Sequence, residues 1–423
     1  MSSKKNMKKS LLMLGIMAIM MFAMCITSMA ASTVTGVTQT KGTESSVTIT
    51  FTGDVQAYGY YVYYSLDGST YVRSGHSTSS YPDTYNTEEY ISGLSAGTQY
   101  YVKVVPVYKD SNYNYIPQND KASDVITVVT TPTSIASSSL KQTDATANSV
   151  TLSWQAVAGA TGYNIIKNNS VVSYVTGTSA TLKTSAGSYE SYRVCAVKIS
   201  AAGYKASGST SSVSCQAAPG KPVNLASYDD YNLTWKSYSS NKVTVGWNKN
   251  SNDYWTPDGY QLQIYSVKGK KLKTYNITSK YTTSKTFTIK AVKNTGFQCR
   301  VRAYINVNNK KCYGSWTSKK TVIPEAKINL SQKSKTSVKV SWTKVKNATK
   351  YTIYACKNTS VSKENQKWYK VATVGKNTTS YTVKKLTSGK DAGFYVIPTV
   401  KVNKKTYKAQ ATWYLYKYMS TYY

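Results

Sequence analysis

A five-residue pattern recurs four times along the chain, as Val47-Thr-Ile-Thr-Phe51, Val150-Thr-Leu-Ser-Trp154, Val243-Thr-Val-Gly-Trp247 and Val338-Lys-Val-Ser-Trp342. Each copy is apolar at every second position and ends on a large ring, the period of a strand with one face buried. The closing rings lie 103, 93 and 95 residues apart. A unit of that size is one small domain, so the chain reads as a tandem array rather than one large fold.

Inside each segment the signals repeat in order. A loop follows the ring, and then a tyrosine opens a second apolar strand: Tyr60, Tyr163, Tyr260 and Tyr351. The ring-to-tyrosine distance is 9, 9, 13 and 9 residues. Later strands are expected at Val102-Lys-Val104, Tyr192-Arg-Val194, Cys299-Arg-Val301 and Tyr395-Val-Ile397. Ser, Thr, Tyr and Val dominate throughout, as strands prefer, and no helical period of useful length competes. Proline marks the joints at Thr131-Pro132, Pro219-Gly-Lys-Pro222 and Ile323-Pro324. It cannot donate to a sheet ladder, so these read as strand exits and linkers.

The ring-ending strand, the tyrosine after it and the corner Leu94-Ser-Ala-Gly-Thr-Gln-Tyr100 resemble the fibronectin type III domain. The Pro222-Val-Asn-Leu225 opening of the third segment fits too. Phe51 stands where the other copies have Trp, and the second segment lacks a tidy corner. The resemblance implies an all-β chain of four immunoglobulin-like sandwiches of two antiparallel sheets. The expected domains are 33–132, 133–220, 221–324 and 325–423.

The N-terminus carries Lys4, Lys5, Lys8 and Lys9, then an uncharged apolar run from Leu11 to Ile26 and Ser28-Met29-Ala30. That is the layout of a secretory signal over 1–30, cut after Ala30. The 16-residue apolar run is short of the roughly 20 that a membrane span needs. A secreted, extracellular or cell-wall-associated protein is therefore expected, with no stable membrane insertion after cleavage. Five of the 6 cysteines lie beyond the signal, so one thiol at least stays unpaired. Cys195 and Cys215 fall on neighbouring strands and are the candidate disulfide. Cys299 and Cys312 share a hairpin whose turn at Asn308-Asn309 offsets them too far to join.

Charge is unevenly spread. Residues 33–132 hold 5 basic and 9 acidic side chains, and residues 133–220 hold 6 and 2. Residues 221–324 hold 18 and 4, and residues 325–423 hold 20 and 3. The C-terminal half is thus a polycation whose field favours polyanions and weakens with salt. Only Arg73, Arg193, Arg300 and Arg302 are arginines among 53 basic residues. Base reading leans on arginine, so sequence-specific nucleic-acid binding is not expected. Lysine-rich charge suits a diffuse partner such as an anionic cell-wall polymer or acidic glycan, with other surface proteins as further partners.

Catalytic sets are lacking. His76 is the 1 histidine and stands without a partner nucleophile or orienter. No Cys-x-x-Cys, phosphate loop or dinucleotide fingerprint occurs, so no metal, cofactor or enzyme activity is expected. Asp83, Glu88 and Glu89 form the one dense acidic cluster, read as a solvated loop. What remains is binding. The third segment has the long loop Asn250 to Gly259 with Tyr254 and Trp255, and in this fold Lys310 and Lys311 share its pole. Further basic hairpin tips carry Lys270 and Lys271, and Lys404 and Lys405. Two functions compete: adhesion or scaffolding through the basic half, and carbohydrate binding by the exposed Tyr and Trp. Trp413 to Tyr423 either pads the fourth domain or forms an aromatic contact patch.

Overall fold

The computed structural model of the chain describes residues 34–75, 80–227, 232–235, 242–288, 296–402, 404–409 and 414–422. The signal segment, His76, Trp413 and Tyr423 lie outside them. Each repeat pairs a three-stranded sheet with a five-stranded one. In the first, Thr35–Gly42, Ser46–Thr52 and Glu88–Ser92 form the smaller sheet, with Ser46–Thr52 central. The larger sheet runs Val72–Arg73, Gly59–Ser65, Gln99–Lys109, Tyr115–Pro117, and Ile126–Val129 also pairs with Gln99–Lys109. All these pairs are antiparallel, and the same order recurs in the other three repeats.

The recurring pattern sits where its period requires. Val47, Ile49 and Phe51 point inward from the central strand of the smaller sheet, as do Val338, Val340 and Trp342 in the fourth repeat. In every repeat the closing ring meets the tyrosine that opens the next strand. Ring centroids lie 4.8 Å apart for Phe51–Tyr60, 5.3 Å for Trp154–Tyr163, 5.3 Å for Trp247–Tyr260 and 5.5 Å for Trp342–Tyr351. All four contacts are edge-on or tilted, the arrangement that ring quadrupoles favour. Separate buried clusters surround Phe51, Trp247 and Trp342. The corner of the first repeat closes as expected, with the Ser95 amide donating to Tyr100 Oη at 2.8 Å and Gly97 at φ 62°.

By compactness the chain falls into two units. One comprises residues up to Lys141, Leu152–Ala180 and Ser191–Val213; the other comprises Gln142–Thr151, Thr181–Glu190 and Ser214–Tyr423. The division therefore runs through the second repeat instead of along a linker.

Two expectations need correction. Cys195 and Cys215 are both free and buried. The Ala217 amide donates to Ser188 O, which places Cys215 opposite Glu190 on Tyr189–Ile199. Cys195 is five residues further along that strand (190 to 195), about 16 Å at the strand rise, too far for a disulfide. The acidic cluster is no solvated loop either. Asp83 is buried against Arg73 at 2.7 Å and accepts the Val62 amide at 2.9 Å, and Glu88 and Glu89 open a strand.

At the C-terminus Leu415–Tyr418 pairs with Asp391–Phe394 as an edge strand, and Met419 is buried in the fourth core. Tyr416, Tyr418 and Tyr422 stay exposed, while Tyr414 packs on Trp368 at 4.9 Å. The tail thus both completes the domain and displays rings.

Candidate ligand-binding surface

The long loop of the third repeat is anchored from below. Asp253 is buried, and its Oδ1 accepts the Gly220 amide at 2.7 Å. The Tyr254 amide donates to Gly187 O at 2.9 Å. Gly187 has φ 69°, and a Cβ there would collide with Asp253, so only glycine fits. These anchors hold Tyr254 and Trp255 outward, at 68% and 50% exposure. Tyr189 of the second repeat, 45% exposed, completes a three-ring group. It stacks on Tyr254 at 5.7 Å and meets Trp255 edge-on at 6.0 Å. Nothing in the sequence marks Tyr189, because only the fold brings its turn beside the loop.

The basic residues expected nearby are differently engaged. Lys310 Nζ lies 2.8 Å from Asp144 Oδ2, and Asn308 Nδ2 donates to Gln142 O at 2.6 Å. Ala145, Ala218, Ile305, Val307 and Cys312 form a small buried cluster at the same place. Lys310 thus joins the second and third repeats. The ammonium beside Asp144 holds that carboxyl below its usual range. Lys311 lies over the Tyr304 ring at 4.7 Å. Lys270 and Lys271 are exposed at a hairpin turn containing Gly269 at φ 100°, and Lys404 and Lys405 are exposed at another with Lys404 at φ 65°.

A second surface lies on the larger sheet of the third repeat. That sheet turns Phe297, Cys299, Val301 and Ala303 into the core, so Arg300 and Arg302 project from the opposite face. Gln263 stands opposite Arg300 in register and Gln261 opposite Arg302. Arg300 Nε donates to Gln263 Oε1 at 2.9 Å; Arg302 donates to Gln261 Oε1 from Nε at 3.1 Å and from Nη2 at 2.8 Å. Trp316 meets both guanidiniums, at 4.3 Å and 4.4 Å from its ring centroid. Arg302 also lies 3.7 Å over Tyr313, and Lys319 lies 4.0 Å over Tyr265. Burial lowers the Arg302 pKa from its ordinary value. Strand alternation gives the outward face of Arg300 and Arg302, but nothing in the sequence pairs them with Trp316.

Rings also gather on the first repeat. Tyr58, Tyr81, Tyr85 and Tyr115 make successive ring contacts of 5.3–5.6 Å, with Lys109 4.7 Å over Tyr58. Among the described residues no group of three or more His, Cys, Asp or Glu is placed to hold a metal ion.

No family model matches the chain, and no curated protein matches it. Among solved structures it is similar to the FN1–FN3 domains of chicken CNTN1 at 14% identity, over 68% of this chain and 98% of that one, with a TM-score of 0.21. It is also similar to a two-domain fibronectin type III segment of chicken tenascin at 19% identity, over 47% of this chain and 97% of that one, with a TM-score of 0.22. The fold rests on strand order and not on these likenesses: a three-stranded and a five-stranded antiparallel sheet in each repeat make the chain a tandem array of four fibronectin type III-like sandwiches.

Proposed function

We propose that this chain is a secreted, non-catalytic adhesion or scaffold protein whose basic third and fourth repeats hold it to an anionic cell-wall polymer or acidic glycan. One observation carries the reading. Residues 221–423 hold 38 basic and 7 acidic side chains, so most of the cations have no internal carboxylate to meet. Lys270, Lys271, Lys404 and Lys405 stand exposed on hairpin tips, where a flexible polyanion has access. Among the described residues no helix is long and apolar enough to cross a membrane. The test is a wash of cells carrying the full chain. In ~1 M salt the Debye length is about 3 Å, and the protein should come off. Retention through that wash would rule out charge as the tether.

A second reading has its own support, the exposed group of Tyr189, Tyr254 and Trp255. Rings at a loop tip stack on sugars, which suits a carbohydrate-binding accessory protein. In that case changing Tyr254 and Trp255 to Ala abolishes retention on a neutral polysaccharide, while lysine changes leave it intact.

A further inference from the structure

The chain supplies its own comparison for what a structural arginine looks like. Arg73 lies 3.8 Å over Tyr61 and is neutralised by Asp83, with Nη2 to Oδ1 at 2.7 Å and Nε to Oδ2 at 3.2 Å. Arg300 and Arg302 are stacked too, at 4.3 Å over Trp316 and 3.7 Å over Tyr313, yet among the described residues neither makes an ion pair. Their neutral partners are Gln263 and Gln261, which fix the orientation of each guanidinium without cancelling its charge. A guanidinium has five N–H donors, and the glutamines take one from Arg300 and two from Arg302. The rest have no hydrogen-bond partner among the described residues, and both side chains are partly exposed. Gln261 is itself held, donating from Nε2 to Asn276 Oδ1 at 2.9 Å, so the grip is pre-organised.

We propose that this outer face of the third repeat is a binding site for a phosphodiester polymer, gripped by Arg300 and Arg302. The proposal rests on the tether reading above and gives the tether a specific place. The two residues stand two apart on one strand, about 6.6 Å at the strand rise, so successive anionic groups of a chain meet both. Planar N–H edges match phosphate oxygens in pairs, which an ammonium does not. Lys311 and Lys319 flank the face and add to its field. Trp316, Tyr313 and Tyr265 each already carry a cation over the ring. What the face offers is therefore N–H edges and not open rings, which favours a phosphodiester chain over a glycan that must stack its sugars.

The experiment measures binding of the full chain to poly(glycerol phosphate) and, in parallel, to polygalacturonate. Arg300→Lys with Arg302→Lys keeps both charges and loses both forks; Lys183→Gln with Lys205→Gln removes two exposed charges from the second repeat, outside the tether. The arginine pair should weaken poly(glycerol phosphate) binding roughly tenfold or more. The lysine pair should change it roughly twofold or less. Equal effects of the two pairs would overturn the site while leaving the tether standing. Binding of the unaltered chain to neither polymer would overturn the tether itself. Tighter, arginine-dependent binding to polygalacturonate would overturn the choice of phosphodiester. A measurement on the unaltered protein guards against misfolded variants: poly(glycerol phosphate) should slow dicarbonyl modification of Arg300 and Arg302 but not of Arg193. Equal rates with and without the polymer would refute the site.

Discussion

Asp253 has one carboxylate oxygen on the Gly220 amide and the other buried without a partner among the described residues. Among the described residues Tyr260 Oη is likewise buried and unpartnered, and the Asp253 charge adds to the burial that pushes Tyr260 up to about 12. The cause is local. In the second and fourth repeats the Val157 and Val345 amides, three residues after the ring, donate to the tyrosine hydroxyl at 2.9 Å. The third repeat has four extra residues in that loop (13 against 9), and no such donor reaches Tyr260. Burial raises the Asp253 pKa, so the folded state binds its proton more tightly than the unfolded chain does. Stability should then fall as pH rises from about 3.9 through the raised native value, and stay level above it. Asp253→Asn should remove that slope and gain about 1–3 kcal/mol at neutral pH, where an uncompensated buried oxygen costs most. Urea midpoints at acidic and neutral pH check this, and an equal difference at both would contradict it. The longer loop was legible in the sequence from spacing alone. The orphaned oxygen was not, because it depends on which amide the insertion displaces.

At the level of single strands, the closing ring is what each repeat is built around. Trp342 is buried against Tyr351, and its indole N–H finds no partner among the described residues. Truncating a buried Trp costs about 3–5 kcal/mol, against the ~5–15 kcal/mol that holds a small domain together. Trp342→Ala should therefore lower one transition in a calorimetric scan and leave the others in place. Trp342→Phe should be much milder, since no N–H bond is lost and Phe51 fills the same place in the first repeat. A scan unchanged by the alanine would show that the ring is not structural. Strand alternation made these rings, their tyrosines and the Asn308-Asn309 turn readable; both asparagines have positive φ, 47° and 65°. The stack on the outer face was not readable. Trp316 lies between strands, and only register brings it to Arg300 and Arg302.

Across the whole chain, repeat number and the charge gradient could be read from composition and spacing. The joints could not. Lys310 holds Asp144, and Tyr189 joins Tyr254 and Trp255 from a repeat away. Contacts of this kind explain why the compact units cut across the second repeat. The buried thiols have a consequence of their own. Burial pushes Cys215 and Cys299 up to about 12 and raises Cys195 and Cys312 as well, so these thiols stay protonated and closed to reagents while folded. The second repeat carries two, the third two, the fourth Cys356, and the first none. An alkylating pulse during gradual denaturation, read by mass, should therefore report the order in which three of the four sandwiches open, without any introduced label. Simultaneous alkylation of all five would mean that the repeats unfold as one.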